Sequence, residues 1–286
     1  MSKNIGIIGS GFAGLHLGLM LQKAGIDVTL YTDRTAEQMR GGAPALLARW
    51  AHTIEREREL GINLWDDAGS EFYRFNFYIN GPQPLEFTGE MDWAASFIDP
   101  RLYLSTLQDV FIERGGRVSY ATVSAGDIIT LSEDHDLMVV ASGRGSMIDM
   151  FPRLPERSFF STPARYLNIA YFTGFESPDE DGVQFVLSPG HGEIIMGTVH
   201  SFNGPVQGML FEGVPGGDFD RLSAVRYADD PAKFTETVID VLRQHAPNLY
   251  AGIDHERFAV ISAKDVLQGA FAPTVRKGYA PLGNGK

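Results

Sequence analysis

The sequence predicts an α/β chain in two parts: an alternating β/α first half on a parallel sheet, then a half dominated by a mixed β-sheet. Three observations carry that prediction. A glycine-rich turn near the N-terminus separates a short apolar strand from a helix-spaced apolar run. Strands and helices alternate as far as about residue 150. After Pro152, Pro155 and Pro163 the pattern changes to strands separated by turns, with one long helix among them.

The elements follow in order. Ile5–Ile8 reads as a buried parallel strand, and Leu15, Leu17, Leu19, Met20 and Leu21 fall at helical spacing. Lys23 sits in the last turn of that helix and Gly25 stands where a helix-ending glycine belongs. Asp27–Tyr31 is a second strand, so a β-α-β unit closes within about 30 residues. A polar and basic stretch follows, with a charge-laced helix around His52–Leu60. Phe72–Ile79 reads as an aromatic strand ended by the Gly81-Pro82-Gln83-Pro84 turn. A helix spans Arg101–Arg114, Gly115-Gly116 stops it, and strands follow at Val118–Tyr120 and Asp136–Ala141. In the second half, strands are expected near Tyr166–Thr173, Val183–Leu187, Glu193–Val199, Gln207–Glu212 and Phe258–Ala263. The intervening helix has Asp230 as N-cap, Pro231 at its first position and His245-Ala246-Pro247 at its end.

Composition narrows the function classes. Apolar residues make up 44 % of the 286 and charged residues 21 %, which is ordinary globular usage. Twenty-four basic against thirty-six acidic side chains leave a net charge of −12. Such a surface repels phosphate backbones and anionic membranes, so neither nucleic acid nor a membrane is an expected partner. With no cysteine, disulfides, zinc-thiolate sites and thiol nucleophiles are excluded, and a reducing, cytoplasmic location fits. The N-terminus lacks a signal-peptide layout and no stretch reaches the roughly 20 apolar residues that span a bilayer.

The turn Gly9-Ser10-Gly11-Phe12-Ala13-Gly14 is a Rossmann-type dinucleotide fingerprint in its proper strand-turn-helix context. Gly9 allows the tight turn, and Gly11 lets the backbone approach a pyrophosphate. Gly14 and Gly18 let the helix pack closely on the sheet, and the helix N-terminus attracts phosphate. The alternative is a tight β-α turn with no ligand. Asp33, nineteen residues beyond Gly14, stands where an acidic side chain meets the adenosine ribose. Arg34 beside it either pairs with phosphate or stays a solvated loop cation. The motif alone does not separate FAD from NAD. The N-terminal position of the unit and a strand ending Ala141-Ser142-Gly143 about 130 residues later favour FAD, as in the glutathione-reductase type. Catalytic motifs for hydrolysis are missing. His191 and Glu193 share a turn, but two ligands without a third argue against a metal. Phe72 and Phe75 alternate within an aromatic strand and belong either to ordinary sheet core or to a substrate wall.

Taken together, IGIIGSGFAGLHLGL, DVTLYTDR, NGPQPLEF, DPRLY, ERGGRVSY, DLMVVASG, LSPGHGE, YADDPAKF and DVLQGAFAPTVRKG resemble the styrene monooxygenase epoxidase subunits. These are the FAD-dependent oxygenase halves of two-component styrene and indole monooxygenases, and the resemblance runs in order through the whole chain. It implies a p-hydroxybenzoate hydroxylase-like fold. It also implies reduced FAD taken from a transient NADH-dependent flavin reductase, a C4a-hydroperoxide formed with O2, and oxygen transfer to a small apolar aromatic alkene. On this resemblance Arg101, Ser142 and Gly143 join Gly9, Gly11, Gly14, Asp33 and Arg34 as cofactor residues. Phe72 and Phe75 fall where aromatic side chains face flavin and substrate. No acid–base residue is assigned.

The expected division is an FAD-binding domain from 1–70 plus 98–160 and a substrate domain from 71–97 plus 161–272. Residues 273–286 then begin a return to the first domain. Two departures from the family stand out. Family chains continue past the point where this one ends at Gly283-Asn284-Gly285-Lys286, into a Gly-Asp motif that closes over FAD. Asn284-Gly285 reads as a hairpin turn awaiting a strand, which suggests a fragment. Segment 40–52, RGGAPALLARWAH, also does not reproduce the family's Arg-Leu-Leu-Asn stretch at the flavin ring. Two rival readings stay open: a self-sufficient NAD(P)H-dependent hydroxylase, and a non-catalytic flavin-binding remnant. Styrene against indole, enantioselectivity and homodimerisation are also left open.

Overall fold

A computed structural model describes residues 3–66, 68–143 and 146–280, so the Asn284-Gly285 turn lies outside the described residues. The first layer is a four-stranded sheet of β1 (Asn4–Ile8), β2 (Asp27–Thr32), β6 (Arg117–Tyr120) and β7 (Leu137–Val140). Its order is β6-β2-β1-β7 and every pairing is parallel. Parallel strands bury both faces, which is why β1 is a short apolar run with Ile7 fully buried. Helix α1 (Phe12–Lys23) follows β1, and Gly25 at φ 72° ends it as expected.

Between β2 and β6 the chain leaves this sheet. It forms α2 (Ala36–Arg40), β3 (Leu47–Arg49), α3 (Ala51–Leu60), β4 (Glu71–Ile79) and β5 (Leu85–Ile98), then returns through α4 (Pro100–Glu113). The return is sharp. Asp99 caps α4 by accepting from the Arg101 amide at 2.8 Å, and Pro100 starts the helix where no amide is needed. A short α5 (Ile128–Leu131) precedes β7.

The second layer is a nine-stranded mixed sheet. Beyond β3, β4 and β5 it contains β8 (Tyr166–Thr173), β9 (Gly182–Ser188), β10 (Gly192–Ser201), β11 (Gly204–Gly213), β12 (Ala259–Val260) and β13 (Val266–Ala270). The order is β12-β8-β11-β10-β9-β4-β5-β3, with β13 also on β8. The β4–β9 and β5–β10 pairings are parallel and the rest antiparallel. Helices α6 (Arg221–Ala224), α7 (Pro231–His245) and α8 (Pro247–Tyr250) follow β11. Asp230 caps α7 by accepting from the Lys233 amide at 2.9 Å. Phe234, Val238, Val241 and Leu242 on α7 pack into one core with Met196, Met209 and Phe211 of the sheet.

Three expectations are corrected. Strand β5, fourteen residues long, has no counterpart among the expected strands, although Leu85, Phe87, Met91 and Trp93 alternate with polar residues or glycine as a strand requires. The strand expected at Phe258–Ala263 shrinks to β12, and a further strand not expected, β13, follows after a 3₁₀ turn at Ala263–Asp265. Strand β3 lies inside the 1–70 segment yet pairs with β5 in the second sheet.

Candidate functional site

The glycine turn opens on a cleft of about 510 Å³ between the ends of β1, β2 and β7. Gly9 has φ 108°, and a Cβ there would lie 2.6 Å from the Ala141 carbonyl oxygen. Only glycine fits where the first strand end crosses the last. A Cβ on Gly14 would overlap the Gly9 carbonyl, so this glycine lets α1 rise directly from the turn. Gly18 has a different partner from the one expected: its Cβ would meet the Phe111 ring of α4 at 3.2 Å, so it spaces two helices rather than a helix and the sheet. Gly11 has nothing within 4 Å of an added Cβ. The fold therefore does not require glycine at that position.

Electrostatics agree with an anionic ligand. Helix α1 carries no side-chain cap and no acidic residue in its first turn, so its first amides and dipole face the cleft unopposed. Ser142 Oγ is buried at the cleft wall without a hydrogen-bond partner, and Gly143 beside it has φ 67°. Asp33 and Arg34 line the other wall, more than half exposed and only loosely paired at 3.7 Å. The Ser10 and Thr32 hydroxyls, 2.6 Å apart, tie the glycine turn to the end of β2, and Thr32 Oγ1 also accepts from the Arg34 amide. These features fit the AMP half of a dinucleotide: backbone donors for phosphate, a free carboxylate for ribose and an unpaired hydroxyl.

Arg101 is elsewhere. Its guanidinium donates to Asp99 at 2.6 and 3.0 Å, to Asp265 at 2.7 Å and to the Lys264 carbonyl at 2.8 Å, and it is 7 % exposed. The resemblance implies that it reaches a dinucleotide; here it does not line the glycine-turn cleft. It welds the turn before β13 to the start of α4, and the partnering carboxylates satisfy it. Phe72 and Phe75 do meet, at 5.7 Å between ring centroids. Residues three apart on a regular strand point to opposite faces. Here the β4–β5 register shifts between Phe72 and Arg74, and this bulge turns both rings to one side. Phe72 is 3 % exposed and stacks on Phe97 at 4.9 Å, so it is sheet core. Phe75 is only partly buried, with Phe185 at 5.5 Å. Trp50, 39 % exposed at the start of α3, closes over both, at 6.2 and 5.9 Å.

Sequence reasoning missed a buried polar network one helical turn along α1 from the cleft. Arg49 donates to Glu57 at 2.5 Å and to Ser96 at 3.1 Å. The Tyr103 hydroxyl donates to Glu57 at 2.5 Å and lies 2.5 Å from His16 Nε2. Glu57 has no exposed surface, although its helix reads as charge-laced and solvated. Burial, reinforced by the Glu57 charge, pushes the Tyr103 hydroxyl up, and burial holds the His16 imidazole below its ordinary value. A neutral His16 then donates through Nε2 to Tyr103, whose own hydroxyl proton goes to Glu57. Phe12, on the cleft wall, touches Tyr103 at 5.9 Å. Nothing in the residue spacing announces the network, because its members come from α1, β3, α3 and α4.

His191 also differs from its reading. Glu193 turns away and takes Arg165 at 2.7 Å, while Asp218 and His245 converge on His191 instead.

Known proteins place this architecture. The chain is similar to the styrene monooxygenase StyA of a Pseudomonas species and to that of Pseudomonas fluorescens. Each is 38 % identical over 290 residues, covering all of this chain and 69 % of the relative. Residues 143–251 match the family described as the styrene monooxygenase A putative substrate binding domain. Among solved structures, a triple mutant of the flavin-dependent brominase Bmp2 superposes with a TM-score of 0.67 at 15 % identity, over 98 % of this chain and 70 % of its own. The flavin-dependent monooxygenase PieE, solved with FAD and substrate, gives 0.64 at 14 %, over 99 % and 52 %. Those two likenesses establish the fold. The full-length identity establishes more: the chain belongs to the styrene monooxygenase family of FAD-dependent monooxygenases.

Proposed function

We propose that this chain is the oxygenase component of a two-component system that epoxidises a styrene- or indole-like aromatic alkene with reduced FAD and O2. The observation that carries the cofactor side is the uncapped α1 N-terminus beside Gly11, whose missing side chain leaves the backbone open to close approach. Gly9, Gly11 and Gly14 shape the pyrophosphate seat, Asp33 accepts from the ribose hydroxyls, and Arg34 lies within reach of phosphate. Ser142 and Gly143 border the same cleft. When bound, reduced FAD supplies two electrons to O2, so that one oxygen atom enters the alkene and the other leaves as water.

The protein's remaining task is to exclude water and hold an apolar substrate. Trp50 and Phe75, backed by the buried Phe72, form an apolar wall suited to an aromatic ring, and no acid–base pair is needed beside it. In this reading 1–70 with 98–160 holds the cofactor and 71–97 with 161–272 shapes the substrate side, except that β3 joins the second sheet. The donor of reduced FAD is a separate NADH-dependent flavin reductase, met transiently. No helix among the described residues is long and apolar enough to cross a membrane.

The test supplies the full-length gene product with FAD and either styrene or indole. One arm contains NAD(P)H alone, and the other contains FAD reduced by a separate reductase. Oxygenated product only in the second arm is expected. Product with NAD(P)H alone moves the assignment to a self-sufficient hydroxylase. No product in either arm, with no FAD binding, leaves a non-catalytic remnant.

A further inference from the structure

His191 lies in the turn between β9 and β10, Asp218 begins the 3₁₀ turn after β11, and His245 ends α7. One imidazole nitrogen from each histidine and one Asp218 oxygen all lie within 4.8 Å of one another. We propose that these three side chains form a mononuclear site for a late first-row divalent cation such as Zn2+. Two imidazoles and a carboxylate are the donor set such ions select.

The geometry is close to what an ion requires. Ligand atoms about 2.0–2.2 Å from a tetrahedral zinc lie roughly 3.4 Å apart. Asp218 Oδ2 is 3.5 Å from His191 Nδ1 and 2.9 Å from His245 Nε2, values that bracket that spacing. The imidazole rings are 4.9 Å apart between centroids, so the remaining adjustment is their approach. His191 Nδ1 accepts from the Asp218 amide at 3.2 Å, so this nitrogen carries no proton, and an ion would take over the lone pair that now meets that amide. On His245, the nitrogen away from the cluster, Nδ1, is 3.1 Å from Ser188 Oγ, which accepts its proton when Nε2 holds the ion. Metal-bound histidines ordinarily have such a partner, which fixes the tautomer and the ring plane.

The site is built rather than incidental. Gly190 and Gly192 flank His191 with φ 82° and 144°. A Cβ on Gly217 would lie 2.6 Å from the Gly190 carbonyl oxygen and 2.7 Å from His191 Cα. Glycine is therefore required on both segments to bring His191 against Asp218. Arg221 does not compete for the carboxylate: it donates to the Asp218 backbone carbonyl at 3.0 Å and to Gln244 at 3.2 Å. His245 is buried, while the His191 and Asp218 side chains are 41 % and 43 % exposed, leaving an entry path and room for a water ligand. A Ser188–His245–Asp218 nucleophile relay is the rival use of these groups, but Ser188 is 2 % exposed and no substrate reaches it. A bound ion would instead tie the end of α7 to two turns of the second sheet.

The full chain is stripped with chelator and titrated with Zn2+ by calorimetry, in parallel with H191A and D218N. The expectation is one saturable equivalent in the wild type, weakened tenfold or more in each variant. A rise in thermal midpoint with Zn2+ should likewise be lost in both. Co2+ added to the wild-type chain alone gives a check free of any folding defect, since nitrogen and oxygen ligation should produce ligand-field absorption at one equivalent. Absence of a saturable equivalent in the wild type, or binding as tight in both variants as in the wild type, would overturn the site. The three side chains would then be a hydrogen-bonded staple without an ion.

Discussion

The two walls of the proposed active site are made from different materials. The nucleotide cleft is mostly backbone: three glycines, an uncapped helix end and three strand ends. The aromatic wall is entirely side chain, gathered from α3, β4, β5 and β9 by a bulge. A backbone site demands particular residues at fixed spacing, since only glycine tolerates the turn and the close approach. A side-chain wall demands only that apolar volume arrive in the right place, and many sequences satisfy that. The first wall should therefore fail sharply under single substitutions, and the second should fail by degrees.

The sharpest break is expected within the glycine turn itself. Gly14→Ala forces a Cβ into the Gly9 carbonyl and should cost about 3 kcal/mol or more, read as a collapse of the thermal midpoint. Gly11→Ala meets nothing within 4 Å and should change apo stability by under about 1 kcal/mol. It should nevertheless weaken FAD binding about tenfold or more, because 1.4 kcal/mol of lost phosphate contact is enough. Equal FAD affinity in wild type and G11A would mean that the pyrophosphate does not cross this turn.

That contrast also explains what the sequence made legible. The β1-α1-β2 unit, the α4 and α7 helices and the glycine turn all follow local rules of spacing and capping, and they stand where those rules put them. The bulge that brings Phe72 beside Phe75 leaves no trace in residue order. Neither does the pairing that buries Glu57 against Arg49, because both depend on which strand lies alongside. Arg101 shows the same limit from the other side: its position in the chain suits a cofactor contact, but Asp265, 164 residues away, claims it.

A smaller effect should separate the two phenylalanines of the aromatic wall. Phe72→Ala empties a buried position stacked on Phe97 and should destabilise the chain by about 3–5 kcal/mol. Phe75→Ala removes a partly exposed ring and should cost about 1–2 kcal/mol. If Trp50 and Phe75 face the substrate, the Phe75 variant raises KM for styrene or indole about tenfold while FAD binding is unchanged. A KM equal to wild type in a folded Phe75→Ala enzyme would return the whole aromatic strand to sheet core.

The smallest expected effect is the most discriminating, because its sign depends on the ligand. Ser142 Oγ is buried without a partner, and an unmet hydroxyl is a liability in the ligand-free chain. Ser142→Ala should therefore leave apo stability unchanged or raise it by under about 1 kcal/mol. With FAD bound, the same hydroxyl gains a partner, and its removal should weaken affinity about threefold to tenfold. Thermal midpoints with and without FAD would then move in opposite directions for this one substitution. A fall in both would make Ser142 a structural residue. A rise in both would show that the cofactor passes the end of β7 without using it, leaving recognition to the glycine turn and Asp33.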